Sequence, residues 1–301
     1  GSLKHDNMRY GYTELQDSLF SLNICYPIEE NKYITGKQII KQLMNKTNNK
    51  YSYVNEENRI FNYENIGKYS CKIRSILENI INSDGIVLVY SQYLDSGLIP
   101  LALALEELGF SRINRKNNLL KTKESIKPFN ILSKNKSEDN KIGRYSMITG
   151  NKDISDDINS ELKIINSDNN TNGSNCKVVL ISQAGTEGID FKNLRQVHIL
   201  EPWYNLSRIE QIIGRAIRNC SHKKLELKNR NSQIFMHCCY IDENTETTDM
   251  MFYRMCENKA TKIGKVQKVL KSISVDCIIN YDQLKLSNLN ENIPITLSTR
   301  E

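Results

Sequence analysis

Two arginines three positions apart, Arg215 and Arg218, follow Gln211 and Gly214 in the string QIIGRAIR. If the segment is helical, these four residues fall at i, i+3, i+4 and i+7 and share one stripe. A guanidinium is a planar, permanently charged fork matched to phosphoryl oxygens, so the stripe suits an anionic ligand, a nucleoside triphosphate above all. Gly214 weakens a helix by about 1 kcal/mol relative to alanine. Close approach to another backbone or to a nucleotide would offset that cost. The plain alternative is a set of solvated helix charges, or a salt-bridge stripe with Glu210.

Three elements have to position the stripe. KVVLIS (177–182) and QVHIL (196–200) are apolar runs of the kind that strands buried on both faces require. Between them AGTEGIDF sets Gly185 and Gly188 where the chain turns sharply and leaves its amides exposed. Residues 206–218 then form the helix that carries the arginines. Upstream, SCKIRSILENIIN predicts a helix with Ile73, Ile76, Leu77, Ile80 and Ile81 inward, IVLVY (86–90) a buried strand, and LIPLALALEELGF (98–110) a helix closing on Gly109. YSMIT (145–149) is a further strand turning at Gly150, residues 153–166 a helix, and SQIFMHCCYI (232–241) another strand. The alternation predicts an α/β fold with a parallel sheet and helices on both faces.

The flanks are less legible. Residues 1–65 are expected to be an N-terminal connector or extension, with LFSLNICYPI (19–28) a candidate strand and TGKQIIKQLMNK (35–46) a short helix burying Ile39, Ile40 and Leu43. Thr35-Gly36-Lys37 is similar to part of a phosphate loop, but Asn31 and Gln38 break the full pattern. Residues 111–143 are rich in Lys, Asn and Ser and are expected to be a polar, solvated insertion, with a basic flap over a nucleic-acid backbone as the alternative. Residues 246–301 are expected to be a helical extension, its helix (246–277) burying Met250, Tyr253, Ala260, Ile263, Val266 and Leu270. The lobe proper is expected to span 66–245.

Composition bounds the partners. Among 301 residues, 41 Lys+Arg against 35 Asp+Glu give a net +6, which permits a nucleic-acid partner without requiring one. Eight scattered cysteines with no CxxC pair fit reduced thiols in a cytosol-like compartment. No signal peptide or membrane-span-length apolar run is present, and no membrane partner is expected. Gly1-Ser2 resembles a tag-cleavage scar, which would make the chain a piece of a longer protein. Cys220, His222, His237 and Cys239 match no standard zinc spacing, so no metal site is expected. Trp203 can stack on a base or pack between loop and helix.

QIIGRAIR resembles the last signature of superfamily-two helicases and translocases, AGTEGIDF the preceding one, and IVLVYSQY the first signature of their second RecA-like lobe. Three signatures in order, over roughly residues 69–240, identify the chain as similar to that lobe, the half of the ATP site that lacks the phosphate loop. The fuller strings YSQYLDSGLIPLALALEELGF and QVHILEPWYNLSRIEQIIGRAIRNCSH resemble helicases of nucleocytoplasmic large DNA viruses, of the poxvirus early-transcription-factor and nucleoside-triphosphatase group.

The resemblance implies that Arg215 and Arg218 act as arginine fingers and that Gln211 contacts the phosphate or orders the attacking water. It further implies that Gly188, Asp190 and Gly214 lie by the nucleotide, Asp190 at the ribose or orienting an arginine. Gly185, Thr186 and Glu187 would couple nucleotide to nucleic acid. Ser91, Gln92, Thr149 and Gly150 would face the phosphodiester backbone; the alternatives are that Asp190 only caps a turn and that these four are ordinary strand ends. ATP with Mg2+ is the implied cofactor, held mainly by a first lobe in cis. The implied track is nucleic acid, DNA before RNA, and viral RNA polymerase or transcription factors are further candidate partners, in the host cytoplasm or virion.

A helicase ATPase also needs a phosphate-loop lysine and a DExx carboxylate pair, and neither occurs here in usable form. Asp242-Glu243 mimics DExx but follows the arginine helix, the wrong place for that signature. The chain alone is therefore expected not to hydrolyse ATP. The other readings are a non-catalytic nucleic-acid-binding module and a polymerase-docking module of helicase ancestry.

Overall fold

The structure, a computed structural model, describes residues 12–30, 32–122, 126–136, 141–151, 154–155, 157–185 and 188–275. Its centre is a six-stranded sheet of β1 (Ile86–Tyr90), β2 (Ser111–Arg112), β3 (Arg144–Ile148), β4 (Val178–Ile181), β5 (Leu194–Ile199) and β6 (Gln233–Met236). The order is β6-β5-β1-β4-β3-β2, and every pairing is parallel. Its α-helices of eight or more residues, among the described residues, are α1 (Tyr12–Asn23), α2 (Gly36–Leu43), α3 (Cys71–Asn82), α4 (Ile99–Leu108), α5 (Ile158–Ile165), α6 (Leu206–Ala216) and α7 (Thr248–Ser272).

The continuous apolar runs have the physical cause expected of them. Every residue of β1 and β4 is buried, because alternate side chains enter different cores. Val87, Val89, Val178 and Leu180 join α3 and α4 in the larger core. Ile86, Leu88, Tyr90, Val179 and Ile181 join Ile165 of α5 and Ile209 and Ile212 of α6 in the other. This is the RecA-like α/β arrangement, a parallel sheet with helices on both faces.

Local signals place the helix ends. The Ser70 hydroxyl accepts the Ile73 amide at the start of α3, and Gly109, at φ 114°, closes α4 in the left-handed region. A side chain at 109 would put its Cβ 2.6 Å from the Lys127 carbonyl oxygen, so the fold needs glycine there for both conformation and space.

Residues 111–143 depart from the expected solvated insertion. They supply the edge strand β2 and a small hairpin, Phe129–Asn130 with Asn135–Lys136, and they bury Leu119, Leu120 and Phe129. The cause lies in α4. Its buried Glu106 accepts the Leu119 and Leu120 amides and the Tyr145 hydroxyl, pinning the polar-looking segment to the core. Its neighbour Glu107 accepts from Arg59 and from the Tyr53 hydroxyl, which ties down the chain before α3 in the same way.

The N-terminal region likewise does more than connect. Residues 19–23 end helix α1, and only Cys25–Glu29 is strand, paired antiparallel with Lys32–Thr35. Residues 44–53 form a second hairpin, Met44–Thr47 with Lys50–Tyr53. Ile24, Ile39, Ile40, Tyr51, Tyr53 and Phe61 sit in the larger core.

At the other end, α7 buries Asp249, Phe252 and Cys256; of the expected stripe Tyr253 packs against the smaller core, Met250 and Ala260 are partly buried, and Ile263, Val266 and Leu270 are exposed. Three further limits differ: α5 begins at Ile158, α6 ends at Ala216, and β6 covers only Gln233–Met236. No helix among the described residues is long and apolar enough to cross a membrane.

Candidate nucleotide and nucleic-acid site

The arginine stripe begins on α6 and finishes just past it. Asn205 caps the helix by accepting the Ser207 amide, Ile209, Ile212 and Ala216 face the core, and Gln211 is exposed on the opposite side. Because α6 stops at Ala216, Arg218 is held by the turn that follows, its backbone amide donating to the Ser221 hydroxyl and its Nε to the Gly214 carbonyl. Arg215 remains on the last helical turn, where its Nη1 donates to the Ile189 carbonyl at 3.4 Å.

Asp190 gathers the two guanidiniums. Its Oδ2 lies 2.6 Å from Arg218 Nη1, and its Oδ1 lies 3.7 Å from Arg215 Nη1. The loop that presents it is fixed at several points. Gly188 turns the chain at φ 71°, and Phe191 plunges into the core with its amide on the Arg215 carbonyl. The Asn166 side chain donates to the Asp190 carbonyl and accepts the Lys192 amide. One carboxylate against two guanidiniums leaves the cluster net positive. The Arg218 and Asp190 side chains are each about half exposed (49% and 51%), so the pair itself adds little to stability. A Cβ added to Gly214 would meet nothing within 4 Å, so among the described residues no backbone makes the close approach expected there.

The strand-end residues divide into two groups. Gln92 and Gly150 reach the partly or fully exposed surface at the carboxyl ends of β1 and β3, the edge at which open α/β sheets bind ligands. Ser91 and Thr149 do not. The Ser91 hydroxyl is buried and donates to the Glu201 carboxylate, and the Thr149 hydroxyl is buried against Ser155. Their side chains are therefore turned inward from the surface expected of them; Gly150 is exposed, whereas Gln92 is only partly so, with its side-chain nitrogen buried. Gly185 is buried against the end of β3: a Cβ there would stand 2.4 Å from the Ile148 carbonyl oxygen. Thr186 and Glu187 lie outside the described residues.

Sequence reasoning missed the group beneath Gln92. Glu201, fully buried, accepts the Gln92 amide at 2.5 Å, the Ser91 hydroxyl at 2.9 Å and the Asn23 side chain at 3.1 Å. Burial pushes its carboxyl up to about 7, against the opposing pull of the Gln92 amide and Lys72. Lys72 in turn contacts the Asn23 side chain and makes a buried ion pair with Asp249 at 2.6 Å. A carboxylate directly after β5 was the available signal, since such a group is rarely buried without partners.

Arg208 was also missed; it donates to Gln183, after β4, and lies 4.1 Å over the ring of the partly buried Trp203. Cys220, His222, His237 and Cys239 are not gathered. His222 bonds the Leu194 carbonyl, His237 faces His198, and the Cys239 sulfur lies 3.4 Å from that of Cys71. Among the described residues no three His, Cys, Asp or Glu side chains converge as a cation cage.

Residues 120–220 match the family model of the helicase conserved C-terminal domain. The chain is 30% identical over 238 residues to a termination factor NPH-I homolog of African swine fever virus, covering 70% of this chain and 33% of that protein. It is 30% identical over 215 residues to the putative ATP-dependent RNA helicase R563 of Acanthamoeba polyphaga mimivirus, with the same coverage of 70% and 33%. It is 29% identical over 222 residues to nucleoside triphosphatase I of Heliothis armigera entomopoxvirus, covering 73% and 29%.

Among solved structures, the C-terminal part of the Fun30 ATPase domain aligns with TM-score 0.37 and 14% identity over 61% of this chain and 44% of that one. The chain spans about a third of the length of the first of these relatives (33%). Over residues 120–220 it is similar to the helicase conserved C-terminal domain, and over about 70% of its length to a termination factor homolog, an RNA helicase and a nucleoside triphosphatase of large DNA viruses.

Proposed function

We propose that this lobe completes an ATP site whose nucleotide, with its Mg2+, is cradled mainly by a first RecA-like lobe. Arg215 and Arg218 reach the triphosphate from the open side of α6 and stabilise charge developing on the transferred phosphoryl group. Gln211, exposed one turn earlier, contacts the phosphate or orders the attacking water. Asp190 holds the guanidiniums in place until the lobes close, and Gly188 and Gly214 keep the approach clear. The observation that carries this reading is the shared carboxylate: one exposed Asp190 orients both arginines at the surface.

The donor chemistry fits a polyanion, since guanidiniums only donate. The cation is held mainly by the first lobe; among the described residues no three His, Cys, Asp or Glu side chains gather as a metal site. Gln92, Gly150 and the turn at Gly185 grip a nucleic-acid backbone, and repeated closure on ATP moves the strand. The relatives' names, termination factor, nucleoside triphosphatase and RNA helicase, support a motor used in viral transcription or genome processing.

The test mixes the chain with a separately produced first lobe and measures nucleic-acid-stimulated ATP hydrolysis. Neither lobe alone should turn over ATP; the mixture should. Arg218→Ala should reduce its rate by roughly 10³- to 10⁵-fold. Full turnover by the Arg215→Ala/Arg218→Ala mixture would overturn the assignment.

A further inference from the structure

A cavity of about 370 Å³ opens between the first turn of α2 and the segment that follows β1. Its walls include Gly36 and Lys37 on one side and Gln92, Tyr93, Asp95 and Ser96 on the other. Ser96 is only 2% exposed, yet among the described residues its hydroxyl has no hydrogen-bond partner, and the same holds for the buried amide nitrogen of Gln92. A buried hydroxyl left unpaired costs free energy, so two such groups on one cavity wall mark a place for an acceptor. The opposite wall supplies more donors. The side chain of Thr35 does not cap α2, Gly36 takes φ 46°, and the exposed Lys37 ammonium stands at the helix start. Amides at a helix N-terminus with an adjacent lysine form a phosphate-binding arrangement.

We propose that this cavity is a phosphate-binding subsite, built from α2 and the β1 exit, that takes one phosphodiester of the nucleic-acid strand. The inference rests on the nucleic-acid reading above and adds the segment before α3 to the gripping surface. Asp95 on the same wall selects among phosphates. It repels a free phosphate dianion or a triphosphate more strongly than a singly charged diester, and it can accept a hydrogen bond from a sugar hydroxyl. Phe20 lies edge-on to Tyr93 at 4.7 Å and gives the cavity an apolar side, which suits a sugar and base attached to the phosphate.

The two informative variants are Ser96→Ala and Lys37→Ala. The Ser96 hydroxyl makes no hydrogen bond among the described residues, so its removal should leave thermal stability unchanged or raised. Binding is measured by fluorescence anisotropy with oligothymidylate and oligouridylate of about ten nucleotides, across a salt series. Each variant should weaken binding by roughly three- to tenfold. Lys37→Ala should also reduce the slope of log K against log salt by about 0.7, one phosphate contact on a single strand.

Equal effects on both strands assign the cavity to the diester alone. An oligouridylate preference that disappears in Asp95→Ala adds the sugar hydroxyl. Wild-type binding that neither variant changes would overturn this subsite while leaving the motor reading intact. A wild-type chain that binds neither strand would remove the nucleic-acid reading and this inference together.

Discussion

Asp190 and Arg218 form a direct ion pair, Oδ2 to Nη1 at 2.6 Å, that joins the turn after β4 to the turn after α6. Those turns are 28 residues apart in the chain, and the same carboxylate reaches Arg215 at 3.7 Å. Both guanidiniums are thereby held from one fixed point within the chain.

Replacing Asp190 should therefore separate positioning from stability. Asp190→Asn is expected to change folding free energy by less than about 1 kcal/mol, because the pair is half exposed. In the two-lobe mixture it should lower kcat on the order of tenfold to a hundredfold with little change in KM. An unaltered kcat would show that the arginines find their geometry without it.

Glu201 predicts a pH dependence. Burial raises its carboxyl from 4.5 in the unfolded chain to about 7 in the fold, so the folded state holds a proton that the unfolded state releases first. Its contribution to stability is complete below about pH 4.5 and is lost as pH rises through about 7. The loss is on the order of 3 kcal/mol. Urea denaturation of Glu201→Gln across this window should give a correspondingly flatter profile than the wild type; parallel profiles would contradict the shift.

The buried Lys72–Asp249 pair ties α3 to α7 with both side chains almost fully enclosed (1% and 0% exposed). Lys72→Met should destabilise the chain by roughly 3–5 kcal/mol, since it strands the Asp249 charge. Lys72→Met/Asp249→Leu should recover much of that loss. Recovery should be incomplete by about 1–3 kcal/mol, because Asp249 also accepts the Cys239 amide. Denaturant midpoints of the three proteins check the order.

Two glycines should respond with opposite signs. Gly109→Ala forces a Cβ into the left-handed region 2.6 Å from the Lys127 carbonyl oxygen and should destabilise by more than about 1–2 kcal/mol. Gly264→Ala, in the exposed part of α7 with nothing within 4 Å, should stabilise by roughly 0.5–1 kcal/mol. Thermal melts distinguish them directly.

The sequence by itself determined five of the six sheet strands, the helices α3 to α7 and the arginine string, but not the edge strand β2 or the helix α1. Those signals are local: β1 and β4 need unbroken apolar runs, and α6 needs a 3.6-residue period whatever else the chain does. It also brought Gly188, Asp190, Arg215 and Arg218 into view as candidates. Only the tertiary structure decided how they meet, because the Asp190 contacts cross 25 and 28 residues.

Long-range pairing also explains the misreadings. Residues 111–143 look solvated until the buried Glu106 supplies acceptors for their amides, and Ser91 looks like a surface contact until Glu201 takes its hydroxyl. The exposed half of α7 shows the converse. A helical apolar stripe specifies a face to cover, and in this chain the fold covers it only as far as Cys256.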